Sequence, residues 1–561
     1  MAKRVSRGDG PSKRNRARKD ASPRTSAPKP ASAPAGGASA QAGDDLPPRD
    51  VLRGNVISDA FRIQDPQRRK RLGLPADDQT PGRMMVELNL AHVAGLTGAE
   101  SRFQEIWARQ FPAGRPPMRI SNSYYRCTIS VHEAVQLTKA DQGTAKVRAI
   151  YRIWPDFRVR RLVDRSAATV KADAARRSYD AIGARITWAV IDSGIDRNHP
   201  HFAPFDNLGG DIAGLHRDFT QPDIDQTLAG KARDEALKKL IDGAFVDASG
   251  HGTHVAGIIA GGLPVKDGKP VLVKNGDRRE LQVVVGQCVS GSGGFGLAVE
   301  SRNIDDLSRL SGMAPKAKLV SLKVLGGDGD SSSNVIRALQ YVREKLNGDG
   351  KTQRIQGVNL SLGYEFDAKW FACGQSPICV EVNRLVRSGV VVVVAAGNTG
   401  YGVLRSEEGD TSTGMSLTIN DPGNADLAIT VGATHCYRPH TYGVSYFSSK
   451  GPTGDGRLKP DLVAPGERIT SCAAGDNRKL MNSLIGPNAT NVAAYLDDSG
   501  TSMAAPHVSG VIAAFLSVRR EFIGRPEEVK RIFLESATPL GRDRYFEGKG
   551  LVDLMRAIQS V

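Results

Sequence analysis

The alternation of short apolar runs with glycine turns and helical stretches constrains this chain more than any other feature. From about residue 184, five apolar runs are predicted to be strands: residues 186–191, 319–324, 358–360, 390–396 and 428–431. Two helical stretches, residues 334–346 and 380–387, lie between them. This order predicts an α/β fold, a parallel sheet with helices on both faces. Functional side chains in such a sheet gather at the carboxyl ends of the strands.

Three short segments of this region suit nucleophilic catalysis. The segment AVIDSG is an apolar strand that ends in a carboxylate, Asp192. HGTHVAG opens a helix with His251, and GTSMAAPH places Ser502 between a glycine turn and an apolar helix. A serine hydroxyl is a weak nucleophile that needs a base, and the base needs a carboxylate to orient it. Each segment alone has an ordinary structural explanation, but three in this order are hard to explain by chance.

On these motifs the sequence resembles the subtilisin-like serine endopeptidases, or subtilases, from about residue 163 to residue 561. The resemblance implies a subtilisin-like fold and a serine endopeptidase that hydrolyses peptide bonds through an acyl-enzyme. It implies that Asp192 orients the base, His251 acts as general base and then acid, and Ser502 is the nucleophile. The Asp–His–Ser order along the chain is that of subtilisin.

The resemblance also extends to the groups that would bind the substrate and its oxyanion. Asn398 follows an apolar strand and matches the family's oxyanion asparagine, with the backbone N–H of Ser502 as the second donor. A polypeptide substrate is expected to bind as an added β-strand, through main-chain hydrogen bonds. Seven residues are implied in substrate binding: Gly326, Gly327, Asp328, Ser361, Leu362, Gly363 and Gly397.

A compact α+β unit is predicted at residues 80–162, before the catalytic domain of residues 163–561. A Thr97-x-x-Glu100 pattern predicts the start of its first helix. Its order of strand, helix, strand, helix and strand resembles the inhibitory prosegment of subtilases. The chain's own N-terminal segment is therefore expected to act as an intramolecular inhibitor that the enzyme removes itself. A permanently attached accessory domain is the alternative.

The first 50 residues are basic and poor in apolar side chains, and residues 51–79 are expected to be a linker. Residues 1–30 hold ten basic and two acidic residues, half of the net charge of +16. Such a composition predicts a disordered tail. Residues 3–29 are a candidate for binding nucleic acid or an anionic surface, and a merely solubilising tail is the other interpretation. A binding protein with secondary or silent proteolysis is the competing function.

Two insertions depart from the family pattern. Residues 264–312 stand where many subtilases carry a short calcium-binding loop after the His251 helix. Within them, residues 270–273 and 281–285 are predicted to form a hairpin through an Asn-Gly turn. This insertion is interpreted either as a lid or docking surface or as decoration. The second insertion, residues 401–417, follows Asn398 where the S1 pocket is expected.

No metal or cofactor is predicted. His199 and His201 stand where calcium-binding members often have an aspartate ligand, although calcium elsewhere stays open. Six cysteines are too few for a disulfide scaffold. Cys373 and Cys379 are close enough in sequence to pair, but reduced thiols are the default expectation.

Acidic residues near the expected pocket lead to a hypothesis on specificity. Asp328, Asp330 and Asp421 would complement a basic P1 side chain, and the basic run at residues 158–161 would be a processing site near Arg161. A solvated basic edge with surface acids is the alternative.

The sequence has no run of about 20 apolar residues, so no transmembrane segment is predicted. The first 50 residues also lack the apolar stretch of a secretory signal, which leads us to expect a cytoplasmic protein. An exported protein is the alternative if the start codon is misassigned.

Overall fold

The computed structural model describes most of the chain outside its N-terminal tail. The described residues are 56–57, 61, 69, 74–112, 116–144, 146–155, 166–266, 269–274, 277–290, 297–302, 306–326, 331–348, 352–365, 372–406 and 409–561. The basic tail, most of the expected linker and the basic run at residues 158–161 lie outside them. The chain divides into two compact units, Met1–Arg160 and Arg161–Val561.

The first unit is an antiparallel sheet packed against two helices. Its elements are β1 (Gly82–Leu88), α1 (Gly95–Gln110), β2 (Met118–Arg119), β3 (Tyr124–Ile129), α2 (Val131–Ala140) and β4 (Ile150–Pro155). The strands lie in the order β2-β3-β1-β4. Met84, Val86 and Leu88 alternate along β1 and are buried in one core with Phe103 and Trp107 of α1. The period of two therefore sets which face of the sheet the helices cover.

Helix α1 begins before the predicted position. Its N-cap is Ala94, with no side-chain capping bond, so the pattern at Thr97 does not start the helix. The capping box of this unit lies at α2 instead. There Ser130 Oγ accepts from Glu133 N at 3.1 Å, and Glu133 Oε2 accepts from Ser130 N at 2.6 Å. The start of α1 is set by packing of its buried face rather than by a cap.

The second unit is built on a seven-stranded sheet in which every pairing is parallel. In the order β18-β17-β14-β13-β5-β12-β6, β5 is next to the middle of the sheet. The strands are β5 (Thr187–Asp192), β6 (Arg217–Asp218), β12 (Lys318–Lys323), β13 (Gly357–Leu360), β14 (Val391–Ala395), β17 (Ile429–His435) and β18 (Leu462–Glu467). All five predicted strands are present, which confirms the predicted fold class.

Helices cover both faces of this sheet. The longer ones are α5 (Gly230–Gly243), α6 (His251–Ile259), α7 (Ser332–Tyr341), α8 (Pro377–Arg387), α12 (Thr501–Val518) and α13 (Pro526–Ser536). The shorter ones are α3 (Ser166–Thr169), α4 (Ala172–Tyr179), α9 (Pro439–Tyr442), α10 (Gly475–Leu480), α11 (Asn482–Ile485), α14 (Arg544–Glu547) and α15 (Leu554–Gln559). A π-helical turn, Val342–Leu346, continues α7. Single 3-10 turns are Pro200–Phe205, Gly210–Ile212, Leu307–Arg309 and Arg520–Phe522.

Strand β5 shows why two layers of helices are needed. Trp188 and Val190 pack on one side with α6 and α12, whereas Ala189 and Ile191 pack on the other with α7 and α8. Side chains of a strand alternate between faces, so a strand apolar at every position needs a cover on both sides.

Helix α12 runs through the core of the second unit. Among the helices that the structure describes, α12 alone is long and apolar enough to match a membrane span, with a mean hydropathy of 1.4 over 18 residues. In this structure 83% of it is buried within the protein. Its apolar composition is therefore accounted for by the core that it fills.

The insertion at residues 264–312 forms strands at both predicted positions, but residues 270–273 pair with a different strand from the predicted one. Its strands are β7 (Val265–Lys266), β8 (Lys269–Lys274), β9 (Asp277–Glu280), β10 (Gln282–Ser290) and β11 (Leu297–Ser301). Strand β8 pairs with β9, from Lys274–Asp277 to Val271–Glu280. Strand β10 joins another sheet, of order β11-β10-β20-β19, with β19 (Ile469–Cys472) and β20 (Val492–Asp498). The predicted pairing was wrong because β10 pairs with β11 on one side and, on the other, with β20, which lies about 200 residues later in the chain.

The second insertion is a short antiparallel hairpin of β15 (Tyr401–Ser406) and β16 (Gly409–Gly414). The Tyr401 ring packs edge-on against Tyr446, with centroids 5.4 Å apart. This hairpin directly follows Asn398 and Thr399.

Among the described residues, five cysteines are free thiols, and all five are buried: Cys127, Cys373, Cys379, Cys436 and Cys472. Burial raises the pKa of Cys127 and Cys436 to about 12, so both stay protonated at neutral pH. Cys373 and Cys379 do not form the loop disulfide that their spacing permits.

Candidate active site

Asp192 and His251 are in hydrogen-bond contact at the carboxyl end of the central sheet. Asp192 is the last residue of β5 and His251 the first of α6. Asp192 Oδ1 and His251 Nδ1 lie 2.7 Å apart. The carboxylate is 1% exposed and the imidazole side chain 31% exposed. A buried carboxylate thus orients a partly exposed imidazole, and this is the arrangement that a general base requires.

Two glycines allow α6 to begin so close to β5. Gly250 caps the helix with a φ of 85°, and a Cβ there would lie 2.1 Å from the carbonyl oxygen of Ala474. A Cβ on Gly252 would lie 2.2 Å from the carbonyl oxygen of Gly194. Any side chain at these positions would therefore push His251 away from Asp192.

Asp247 holds this region together, and the sequence analysis did not single it out. It is 6% exposed. Its Oδ1 accepts from Ser193 Oγ and Gly250 N, both at 2.9 Å. Its Oδ2 accepts from Thr253 N at 2.8 Å and Thr253 Oγ1 at 2.6 Å. A carboxylate placed just before a helix start is the signal that points to such a role.

Surrounding carboxylates stabilise the charged form of His251. Burial opposes protonation, but the charge of Asp192, its hydrogen bond to the ring, and the charges of Asp498 and Asp247 outweigh it. Together they raise the pKa of His251 to about 9.

Ser502 is the second residue of α12 and is linked to one wall of the same cleft. Its Oγ donates to the carbonyl oxygen of Ser361 at 3.1 Å. In return, Ser361 Oγ donates to the carbonyl oxygen of Ser502 at 2.8 Å. Ser502 and His251 both line one cleft of about 850 Å³.

Asn398 lies across from Ser502 at the end of β14. Its Oδ1 accepts from Thr501 N at 2.9 Å and from Thr501 Oγ1 at 3.1 Å. These bonds fix the amide and leave Nδ2 as its remaining polar atom. The side chain is exposed and lines the cleft beside Ser502.

The cleft brings together most of the residues that the resemblance implied. Those lining it are His251, Ser361, Leu362, Gly363, Gly397, Asn398 and Ser502. Leu325, next to Gly326, also lines it, whereas Gly327 and Asp328 lie outside the described residues. Further lining residues were not anticipated: Ser331, Ser332, Val335, Tyr364, Ile378, Ala395, Thr399, Asn420 and Thr501. Their side chains converge from separate elements, and local sequence patterns do not show such convergence.

Asp421 does not take the place that the specificity hypothesis gave it. It is fully buried and does not line the cleft. Its Oδ1 accepts from Asn424 Nδ2 at 2.8 Å, and a Cβ on Gly363 would lie 2.5 Å from its backbone oxygen. None of the described residues that line the cleft is acidic. Asp421 therefore gives no support to a preference for basic P1 side chains, and Asp330 lies outside the described residues.

The histidines at the expected calcium position are buried, and their ring nitrogens lie against neighbouring protein oxygens. His199 Nε2 lies 2.8 Å from the Ala494 carbonyl oxygen, and His201 Nδ1 lies 3.0 Å from the Tyr495 hydroxyl. Calcium prefers carboxylate and carbonyl oxygens to imidazole nitrogens. Elsewhere among the described residues, no three His, Cys, Asp or Glu side chains form a group that could hold a metal ion.

Comparison with known proteins agrees with this geometry. A model of the Subtilase family matches residues 183–551. Pyrolysin of Pyrococcus furiosus is 30% identical over 347 residues, which are 55% of this chain and 21% of pyrolysin. Serine protease AprX of Bacillus subtilis is 26% identical over 402 residues, 70% of each chain. The major intracellular serine protease of Bacillus subtilis is 28% identical over 377 residues, 66% of this chain and 82% of that protein.

The family match covers well over half of the 561 residues and includes every element that holds Asp192, His251, Asn398 and Ser502. This range contains the parallel sheet and its flanking helices. It also contains the Asp192–His251 pair and Ser502, which lines the same cleft as His251. The chain belongs to the subtilase family of serine endopeptidases.

Proposed function

We propose that the chain hydrolyses peptide bonds of polypeptides through an acyl-enzyme formed on Ser502. One observation carries this proposal. The His251 imidazole, whose Nδ1 lies 2.7 Å from Asp192 Oδ1, lines the same cleft as Ser502. A base, its orienting carboxylate and a nucleophile are the groups that acyl transfer requires.

The first step moves the hydroxyl proton. A hydroxyl has a single proton, and that of Ser502 is directed to the Ser361 carbonyl oxygen. Rotation about the Cα–Cβ bond redirects it to Nε2 of His251. As Oγ bonds to the scissile carbonyl carbon, His251 takes the proton, and Asp192 stabilises the imidazolium. His251 then protonates the leaving amine, and water repeats the sequence to release the acid product.

Negative charge that develops on the carbonyl oxygen needs donors already in place. Asn398 Nδ2 and the backbone N–H of Ser502 would supply two. Thr501 donates two hydrogen bonds to Asn398 Oδ1. They support this role, because a fixed amide need not reorganise during the reaction. The mechanism needs no metal or cofactor.

The substrate would lie along residues 361–363 as an added strand. Ser361, Leu362 and Gly363 all line the cleft beside Ser502, which supports this placement. Gly326, Gly327 and Asp328 are proposed for the opposite wall on the strength of the family resemblance. Main-chain hydrogen bonding tolerates many sequences, as a protease of polypeptides requires.

We further propose that the first unit is an inhibitory segment that the enzyme removes by cleavage near Arg161. Support comes from the order of its elements, two helices between strands of one sheet, and from its position before the catalytic unit. The basic run at residues 158–161 would contain the cleaved bond.

Intact mass followed over time tests both proposals. Purified wild-type protein should lose its N-terminal segment by a cut near residues 155–170, while a Ser502→Ala variant stays whole. A quenched-fluorescence peptide should be hydrolysed by the wild type alone. Equal trimming of both proteins would point to a contaminating protease. If the wild type also stays whole but hydrolyses the peptide, the first unit is a retained domain.

A further inference from the structure

A second cleft, of about 720 Å³, lies in the second unit at the edge of the central sheet. Edge strand β6, helix α5 and the end of α7 with its π-helical turn form its walls. None of its lining residues belongs to the cleft that contains Ser502. We call this second cleft the basic groove.

Positive charge dominates the basic groove. Five cationic side chains line it: Arg217, Arg233, Arg337, Lys345 and Arg354. The acidic lining residues are Asp218 and Asp223, and both are engaged locally. Asp218 Oδ1 accepts from Thr220 N at 2.9 Å, and Asp223 Oδ1 accepts from Arg337 Nη2 at 2.6 Å.

Several of these cations form no direct ion pair in the part of the chain that the structure describes. Arg233 and Arg354 have no ion pair or hydrogen bond with any described residue, and Lys345 interacts with Glu344 through charge alone, without direct contact. Arg217 bonds to the Tyr341 hydroxyl through Nη2 at 3.1 Å, but its buried Nη1 has no partner among the described residues. Carboxylates bound in the groove would pair with the exposed side chains of Arg233, Lys345 and Arg354.

The groove also offers apolar surface between its charges. Helix α5 has no buried residue, yet Leu237 and Leu240 on it line the groove. Phe219 and Ile224 line it as well. The complementary ligand is therefore acidic and has apolar side chains between its carboxylates.

These features favour a polypeptide over a nucleic acid. Bases of single strands bind proteins by stacking on aromatic faces. Arg217 already covers the ring of Tyr341 at 5.1 Å, and Arg337 covers that of Phe219 at 5.5 Å. Both aromatic rings of the groove therefore have a face occupied by a guanidinium.

The groove lies close to the proposed catalytic residues. Asp192 of β5 is in register with Lys323 of β12, which is in register with Asp218 of β6. Two strand spacings separate Asp192 from Asp218, about 10 Å. Helix α7 connects the two clefts, because Ser332 at its start lines the first and Tyr341 at its end lines the basic groove. About three extended residues span 10 Å, so a five-residue linker would reach from one cleft to the other with slack.

We propose that the basic groove binds an acidic segment of the polypeptide substrate, several residues away from the scissile bond. This inference rests on the endopeptidase activity proposed above. Binding there would raise the local concentration of the scissile bond at Ser502 and lower KM without changing the chemical step.

The test uses quenched-fluorescence peptides that share one cleavable core. A five-residue linker on either end joins the core to a tail of Glu and Leu or to a matched tail of Gln and Leu. In the wild-type enzyme the acidic tail should raise kcat/KM about tenfold through KM, since three exposed ion pairs together are worth about that much. High salt should remove this gain.

A charge-reversed variant, R233E/K345E/R354E, should lose the preference and hydrolyse the Gln-tailed peptide at the wild-type rate. Its control is K231E/K238E/K239E, which reverses three exposed lysines of α5 outside the groove and should keep the preference. The neutral set R233Q/K345Q/R354Q repeats the test if the reversed variant misfolds. Equal hydrolysis of both peptides by the wild type, or equal loss in the control, would overturn the proposal.

A binding measurement separates this proposal from the proposed function. Fluorescence anisotropy of a labelled acidic-tailed peptide is followed on Ser502→Ala protein and on the same protein carrying R233E/K345E/R354E. Binding that depends on the three cations supports docking, even if neither peptide is hydrolysed and the proposed activity fails. If a labelled single-stranded oligonucleotide shows that dependence and the peptide does not, the docking of an acidic polypeptide is wrong.

Discussion

At the scale of single residues, the charge around His251 determines when it can act as a base. Only a neutral imidazole accepts the Ser502 proton. Its environment raises the pKa of His251 to about 9, so the ring is largely protonated at neutral pH. Activity should therefore increase as pH rises above the usual histidine pKa of 6.5.

Removal of one nearby charge tests this dependence. The kcat/KM of wild type should rise with pH from about 7 to 10, because His251, with a pKa of about 9, loses its proton over that range. Asp498→Asn removes a charge that raises the pKa of His251, so the rising limb should move to lower pH. Asp234→Asn, an exposed residue of α5, serves as control and should leave the limb in place. A limb unmoved in Asp498→Asn would show that this carboxylate does not act on His251.

Asp247 also acts on His251, both through its charge and by hydrogen bonds at the start of α6, and we interpret it as a positioning residue. Asp247→Asn removes an acceptor from the bonds to Gly250 and Thr253 and so loosens the start of α6. We expect kcat to fall about 10- to 100-fold with little change in KM, as is typical of small displacements of a catalytic group. The rising limb of the pH profile should also move to lower pH, which loss of packing alone would not cause. A wild-type kcat would exclude this role.

At the scale of elements, two helices bring the proposed base and nucleophile together. Helix α6 begins with His251, and α12 contains Ser502 near its start. The two pack closely at Gly510, where a Cβ would lie 2.6 Å from Met313 Cβ and 3.0 Å from the Ile259 carbonyl oxygen. The spacing of these helices, and with it the active-site geometry, depends on a glycine inside a helix.

Gly510→Ala should destabilise the protein although alanine is the better helix former. Overpacking of a core contact costs about 1–3 kcal/mol, more than the gain of about 1 kcal/mol in helix propensity. Thermal unfolding is measured in the Ser502→Ala background to avoid self-digestion. Gly214→Ala is the matched control, since no atom lies within 4 Å of its Cβ position. Equal melting temperatures for Gly510→Ala and its parent would contradict the close contact.

The sequence predicted five strands of the central sheet and missed other features of the fold. Strands β5, β12, β13, β14 and β17 were predicted because apolar runs are visible locally. The start of α1 was not, since no side-chain cap marks it, and neither was the pairing of β10, since one of its partners is distant in the chain. Local patterns describe a segment and not its partners.

At the scale of the whole molecule, buried histidines couple folding to pH. Burial lowers the pKa of His199, His216 and His507 to about 4 and that of His201 to about 3. In the unfolded chain these groups titrate near 6.5. Below that pH the unfolded state binds protons that the folded state does not, so stability falls as the medium becomes acidic.

The urea midpoint of Ser502→Ala protein should therefore decrease steadily from pH 6.5 to pH 5. Carboxylates remain mostly ionised in this range, so the slope reports the histidines, each worth at most about 1.4 kcal/mol per pH unit. His216→Asn should reduce the slope, whereas substitution of the exposed His132 should not. A midpoint constant between pH 6.5 and 5 would contradict the low pKa values.

The sequence by itself determined the α/β class of this protein and the identity of Asp192, His251, Ser502 and Asn398 as candidates. It could do so because strand periodicity and short catalytic motifs are encoded within a few neighbouring residues. Only the tertiary structure decided that Asp421 is buried away from the cleft and that Asp247 organises the start of α6. Only the tertiary structure shows that β6, α5 and α7 together form the basic groove. Burial, hydrogen-bond partners and clefts arise between residues far apart in the chain, so they exist only once the chain is folded.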